Sequence, residues 1–157
     1  MKLGVLAVGR LKPGPMPTLF QDYARRLAWP LTVIEVEERR PLPPAELKER
    51  EGALLLEAIA AASRKFASPV VVALDERGAA LSSADLAQRI MRWRDGGRDA
   101  LFIVGGVEGL APEVLERADF KLSLGPMTWP HQLVRVMLAE QLFRAQSILT
   151  GHPYHRE

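Results

Sequence analysis

The feature that most constrains this chain is a pair of short runs, Pro69–Asp75 (PVVVALD) and Ala100–Val104 (ALFIV), apolar at nearly every position. A strand with one wet face would alternate. A strand with no polar phase is covered on both sides, as in a parallel sheet layered between helices. Three further segments read as strands: Lys2–Gly9 (KLGVLAVG), Leu31–Glu37 and Asp119–Leu124. Helical spacings separate them. Leu19, Tyr23 and Leu27 mark one face of Thr18–Ala28, and Leu47, Leu54, Leu55, Ala58, Ile59 and Ala62 one side of Ala45–Phe66. Leu86, Ile90 and Trp93 follow a helix start at Ser82–Asp85 and run to a Gly96-Gly97 stop. A short helix at Pro112–Ala118 and a long one at Pro130–Leu149 complete the set, leaving a tail from Thr150 to Glu157. The stretches RLKPGPMP and EERRPLPP read as loops. The order βαβαβαβαβα predicts one α/β domain over residues 1–157, with a mostly parallel sheet and helices on both faces. Periodicity alone predicts an unknotted, doubly wound sheet, because true knots are very rare.

Composition removes several classes. With 48% apolar and 25% charged residues over 157 positions the chain can build a core, which excludes disorder. The absence of cysteine excludes disulfide scaffolds, thiol nucleophiles and zinc fingers. Its longest apolar runs fall far short of the roughly 20 residues that span a bilayer, and no cleavage site follows the apolar N-terminus. A soluble, cytoplasmic protein with no membrane segment and no metal site is expected. The pI near 9.2 suggests nucleic acid, yet 21 basic against 19 acidic residues leave a net charge of only +2. A domain-wide basic field is not implied.

Familiar phosphate and nucleophile signatures are missing. There is no G-x-x-x-x-G-K-[ST], no G-x-G-x-x-G after the first strand and no G-x-S-x-G. Two features remain. Gly105, Gly106 and Gly109 directly follow a buried strand, at the edge where open parallel sheets bind ligands. Leu74 and Asp75 end the neighbouring apolar strand and should open on the same edge. A tight turn feeding the next helix would explain the glycines equally well. The C-terminal quarter holds all three histidines, His131, His152 and His155, with Arg135, Arg144, Tyr154 and Arg156. His131 sits at a helix N-terminus, where the dipole disfavours its protonated form. Frayed disorder is the default for a tail such as HPYHRE, but its aromatic and basic makeup also suits stacking on a base and holding phosphates.

The last helix carries more apolar residues than one face needs. Val134, Leu138, Leu142, Ala145 and Leu149 form a stripe toward the sheet, while Leu133, Val136, Met137, Phe143 and Ile148 lie outside it. Deep burial within one subunit would explain them. A second partner surface, most simply a symmetric homodimer, is the favoured reading.

The segments GGVEGL (105–110), MTWPHQLVRVMLAEQLFRA (127–145) and the final HPYHRE resemble a family of SPOUT-class methyltransferases. Members of this family act on N3 of a pseudouridine in bacterial large-subunit ribosomal RNA. The opening MKLGVLAVGRLK and GRDALFIVGG match as well, so the similarity spans essentially the whole chain. The resemblance implies a homodimer, a C-terminal trefoil knot and S-adenosylmethionine bound in that knot. By position the cofactor would be held by Leu74, Gly105, Gly106 and the loop Leu124, Gly125, Pro126, Met127, Thr128 and Trp129. Gly125-Pro126 departs from the family pattern, and Pro126 has no N–H to offer the cofactor. Candidates to take the N3 proton are His131, Glu108 and His155, with Tyr154 and Arg156 orienting the RNA. A base with a pKa near working pH favours a histidine. With so little net charge, the expected substrate is ribosomal RNA in the assembled ribosome rather than a naked strand. Two alternatives stay open: a non-catalytic ribosome- or RNA-binding protein with the same knotted fold, and a nucleotide-dependent doubly wound enzyme.

Overall fold

The computed structural model describes residues 1–156, so Glu157, the last residue of the tail motif, lies outside the described residues. The elements in chain order are β1 (Leu3–Val8), α1 (Pro15–Arg26), β2 (Leu31–Val36), α2 (Pro44–Ala62), β3 (Val70–Ala80), α3 (Ser83–Asp95), β4 (Ala100–Val104), α4 (Pro112–Arg117), β5 (Phe120–Ser123) and α5 (His131–Thr150). The five strands form one sheet in the order β2-β1-β4-β3-β5, every neighbouring pair parallel. The expected α/β architecture is present. Among the described residues no helix is long and apolar enough to cross a membrane.

Strand periodicity divides the core in two. Leu3, Val5, Ala7, Val72, Phe102 and Val104 point to a layer built by Leu86, Ile90 and Trp93 of α3 and Leu138, Leu142 and Ala145 of α5. The alternate residues Leu6, Val8, Val71, Ala73, Leu101 and Ile103 point the other way, onto Leu55 and Ile59 of α2 and Val114 of α4. β1 and β4 are therefore buried at every position, as their unbroken apolar sequences require.

Helix α1 does not lie on the sheet. Its Phe20 packs on Val136 and Ala139 of α5, with Leu133 and Tyr23 at the margin. This narrows the reading of the last helix to Leu133, Met137 and Ile148, which are half-buried. Val136 and Phe143 are 4% and 5% exposed within one chain, so neither needs a second subunit to cover it. The stripe predicted to face the sheet does so, with Val134 and Leu149 partly buried beside it.

A second correction concerns β3, which continues to Ala80 instead of ending at Asp75. Leu74 and Ala79 both stand opposite Leu122 of β5, so the residues between them bulge out of the ladder. Gly78 allows this, since a Cβ there would lie 2.7 Å from the Lys121 carbonyl carbon. The bulge carries Asp75, Glu76 and Arg77, charged residues at which the apolar run stops.

Candidate functional site

Parallel strands present their C-terminal ends on one edge, and three loops converge there. The first is the glycine loop after β4. Gly106 and Gly109 face each other as an isolated antiparallel pair, the Gly109 N–H donating to the Gly106 carbonyl at 3.1 Å. Gly109 adopts φ +76, and a Cβ on Gly105 would sit 2.9 Å from the Gly109 carbonyl carbon. Only glycine permits this tight approach. Val107, at the tip, is 82% exposed.

The second and third pieces are the β3 bulge and the loop after β5, which hold each other. Ser123 Oγ accepts from the Gly125 N–H at 3.0 Å, and its own proton can serve the carbonyl of Glu76 or Gly125, each 3.0 Å away. Thr128 Oγ1 donates to Glu76 Oε2 at 3.4 Å, and the Trp129 indole N–H to the Leu124 carbonyl at 3.3 Å. The loop is therefore shaped before anything binds.

Between the three pieces lies a cleft of about 520 Å³, within the range of small-molecule sites. Leu74, Gly105, Gly106, Leu124, Gly125, Met127, Thr128 and Trp129 all line it, as do Glu108 and His131. Leu74 reaches it from inside β3, beside the bulge, and not from a strand end. Pro126 is the exception among the expected cofactor residues: it is exposed and does not line the cleft, so its missing N–H is not presented there. Val104, Leu110, Leu115, Leu122 and Val134 add apolar wall, while Lys48, Asp75, Glu76 and Arg77 stand among its polar residues. A slot with one apolar wall, one polar wall and close-lying glycine backbone suits a flat adenine with a charged tail. Among the described residues there is no cluster of His, Asp and Glu able to hold a metal ion.

His131 opens α5 and is half-buried. Burial first, and then the positive charges of Arg135 and Lys12, lower its pKa below the usual imidazole value. The ring is thus held neutral at physiological pH, with a free lone pair.

The tail sits elsewhere. Tyr154 packs edge-on against Phe143, ring centroids 4.7 Å apart, and its hydroxyl donates to Glu140 Oε1 at 2.9 Å. Arg144 Nη1 lies 3.3 Å from His155 Nδ1, and Arg156 is exposed. Glu140 is nine residues along α5 from His131, about 14 Å at 1.5 Å per residue. Within one chain, then, His131 and Glu108 share the cleft, whereas Tyr154, His155 and Arg156 do not join them. Nor does the described part of the tail fray; its tyrosine is half-buried and bonded.

Sequence reasoning names Arg135 in the C-terminal cluster without its burial, and misses Glu51 altogether. Arg135 has no exposed surface; its guanidinium donates to Glu35 Oε1 at 2.6 Å and to the Val8 and Gly9 carbonyls at 2.8 and 2.6 Å. Glu51 of α2 is 7% exposed and lies beneath the glycine loop. A charged residue among apolar positions was the available signal for Arg135; Glu51, in the charged first half of α2, offered none.

Comparison with known proteins agrees with this geometry. Residues 1–155 match the family described as "Predicted SPOUT methyltransferase". The chain is 53% identical over 157 residues to the ribosomal RNA large subunit methyltransferase H of Rhodospirillum centenum, covering 99% of each chain. It is 52% identical to the protein of the same name from Paramagnetospirillum magneticum, again over 99% of both. Among solved structures, a probable methylase family protein from Haemophilus influenzae superposes with a TM-score of 0.58 at 12% identity, over 99% of this chain and 70% of that one. The SpoU methyltransferase AviRb from Streptomyces viridochromogenes, in complex with AdoMet, gives 0.51 at 16% identity, over 92% of this chain and 58% of that one. The structural likenesses speak for the fold; the full-length match and the high identities decide the family, and this chain belongs to the SPOUT methyltransferases.

Proposed function

We propose that this chain is a methyltransferase of large-subunit ribosomal RNA, moving a methyl group from S-adenosylmethionine to N3 of a pseudouridine in 23S rRNA of the assembled ribosome, in the cytoplasm. The observation that carries the reading is the convergence of the glycine loop, the β3 bulge and the Leu124–Trp129 loop on one cleft, with His131 and Glu108 in its wall. The full-length identity to relatives named for this RNA supports the substrate class.

Bound there, S-adenosylmethionine supplies a sulfonium-activated methyl group. Leu74, Gly105, Gly106 and the Leu124–Trp129 loop hold the cofactor through apolar contact and backbone groups, with Pro126 contributing shape only. The nucleophilic nitrogen must be held in line at about 3–3.5 Å. Its proton goes to the neutral imidazole of His131, the better-matched base, with Glu108 as the other acceptor within the cleft.

The tail enters as part of a homodimer. Because Tyr154, His155 and Arg156 lie far along α5 from the cleft of their own chain, a second copy is what brings them to it, orienting the RNA from across the interface. The reading also includes one domain over residues 1–157 and the trefoil knot that the family implies. Its support in the sheet order is that the chain after β4 passes β3 to reach β5.

Calorimetric titration with S-adenosylhomocysteine, with NAD and ATP as controls, tests the cofactor assignment. Selective binding of the first is expected. A folded protein that binds none of the three would favour the non-catalytic ribosome-binding alternative, and selective NAD or ATP binding would indicate a nucleotide-dependent enzyme.

A further inference from the structure

The glycine loop rests on helix α2, and the contact is unusually close. A Cβ on Gly52 would lie 2.7 Å from Ala111 Cβ, so α2 presses directly on the chain leaving the loop. A Cβ on Gly106 would lie 2.8 Å from Glu51 Oε2 and 3.0 Å from Val8 Cγ1. The carboxyl of Glu51 thus fills the space under Gly106 that a side chain would otherwise take. Among the described residues nothing donates to or accepts from Glu51 Oε2, although that atom is sealed from solvent. A buried polar atom left unpaired is costly, and its persistence beside a functional loop suggests a partner that arrives later.

We propose that Glu51 is a positioning residue of the methyltransferase site: its buried carboxyl supports Gly106 from beneath and gains its missing hydrogen bond when the Gly105–Glu108 backbone settles onto bound cofactor. The proposal rests on the cofactor reading given above. Glu51 does not line the cleft and so acts through the loop. Burial, and then the nearby Glu108, push the Glu51 carboxyl upward from the ordinary range, which favours a protonated group able to donate as well as accept.

A purely structural role and a positioning role predict opposite pairings of stability and affinity. In Glu51→Met the volume stays and the orphan carboxyl goes. Positioning predicts thermal stability equal to or above the starting protein, with S-adenosylhomocysteine affinity down at least about tenfold, near the worth of one hydrogen bond. Glu51→Gln keeps a polar group at the same place and should stay within about threefold of the starting affinity, a loss below that of one neutral hydrogen bond. Should Glu51→Met fail to fold, a second measurement decides: amide hydrogen exchange of the intact protein should show Gly106, Val107 and Glu108 gaining protection on adding S-adenosylhomocysteine, and less so in Glu51→Gln.

Tight binding by a stable Glu51→Met overturns the proposal, as does unchanged protection in the loop. Failure of the unmodified protein to bind S-adenosylhomocysteine is a different result, removing the cofactor reading and this inference with it.

Discussion

Arg135 carries a full charge with none of its surface exposed; its buried Nε has no partner among the described residues, while three oxygens answer its two Nη groups. Glu35 supplies one, the carbonyls of Val8 and Gly9 the others, so the side chain ties the start of α5 to the ends of β1 and β2. Arg135→Met keeps the apolar stem but takes the donor from the Val8 and Gly9 carbonyls, while Glu35 keeps solvent and the Leu11 N–H. Leaving a buried acceptor without its donor costs about 1–3 kcal/mol, and a loss of that size is expected in urea unfolding. The same change removes one of the charges that lower the His131 pKa, so the His131 midpoint should rise in an NMR titration. In the unaltered protein that midpoint should lie below the ordinary 6.5. The sign of the linked stability follows. Between the lowered folded value and 6.5, the unfolded chain binds the proton first, so stability falls as the solution is acidified through that window. His131→Asn should flatten this part of the stability profile.

At the scale of elements, α5 runs from the cleft to the residues that hold the tail. Its first residue faces the cleft, while Glu140, further along, accepts from the Tyr154 hydroxyl, from the Arg144 guanidinium and from Gln141 Nε2 at 2.7 Å. Burial, followed by the bonds to Tyr23 and Glu140, pushes the Tyr154 hydroxyl well above its usual pKa, so it remains a donor. The guanidinium of Arg26 lies 4.1 Å over Phe143, adding α1 to the same cluster. Removing residues 154–157 should abolish methyl transfer while leaving S-adenosylhomocysteine affinity in calorimetry unchanged; lost affinity would mean that the tail only supports the fold. The strands and helices were legible because β1, β4 and the first half of β3 have no polar phase and α5 has a clean stripe. What was not legible depended on distant packing. The outer face of α5 looked like an interface because nothing in the sequence shows that Phe20 of α1 returns to cover Val136. Likewise, the strand reads as ending at Asp75 unless one knows that Leu74 and Ala79 meet the same residue of β5. The glycine loop could be placed on the sheet edge from sequence alone, whereas Glu51 beneath it could not, since a lone glutamate in a charged helix carries no mark of burial.

For the whole molecule the decisive quantities are charge and shape. A net charge of +2 gives the chain little field with which to gather RNA, and the proposed function assigns recognition to a surface matched to the ribosome and to a second copy of the chain. Sedimentation equilibrium should therefore give twice the chain mass of 17.4 kDa at working concentrations; a monomer that still transfers methyl groups would remove the shared-site arrangement. The most direct test of the account is to supply labelled S-adenosylmethionine with assembled ribosomes lacking the modification, and in parallel with their stripped rRNA, then identify the labelled nucleoside by mass spectrometry. The account predicts label on N3 of a pseudouridine in large-subunit rRNA, from assembled ribosomes and far less from naked RNA. No label from either, or equal label from both, would contradict it.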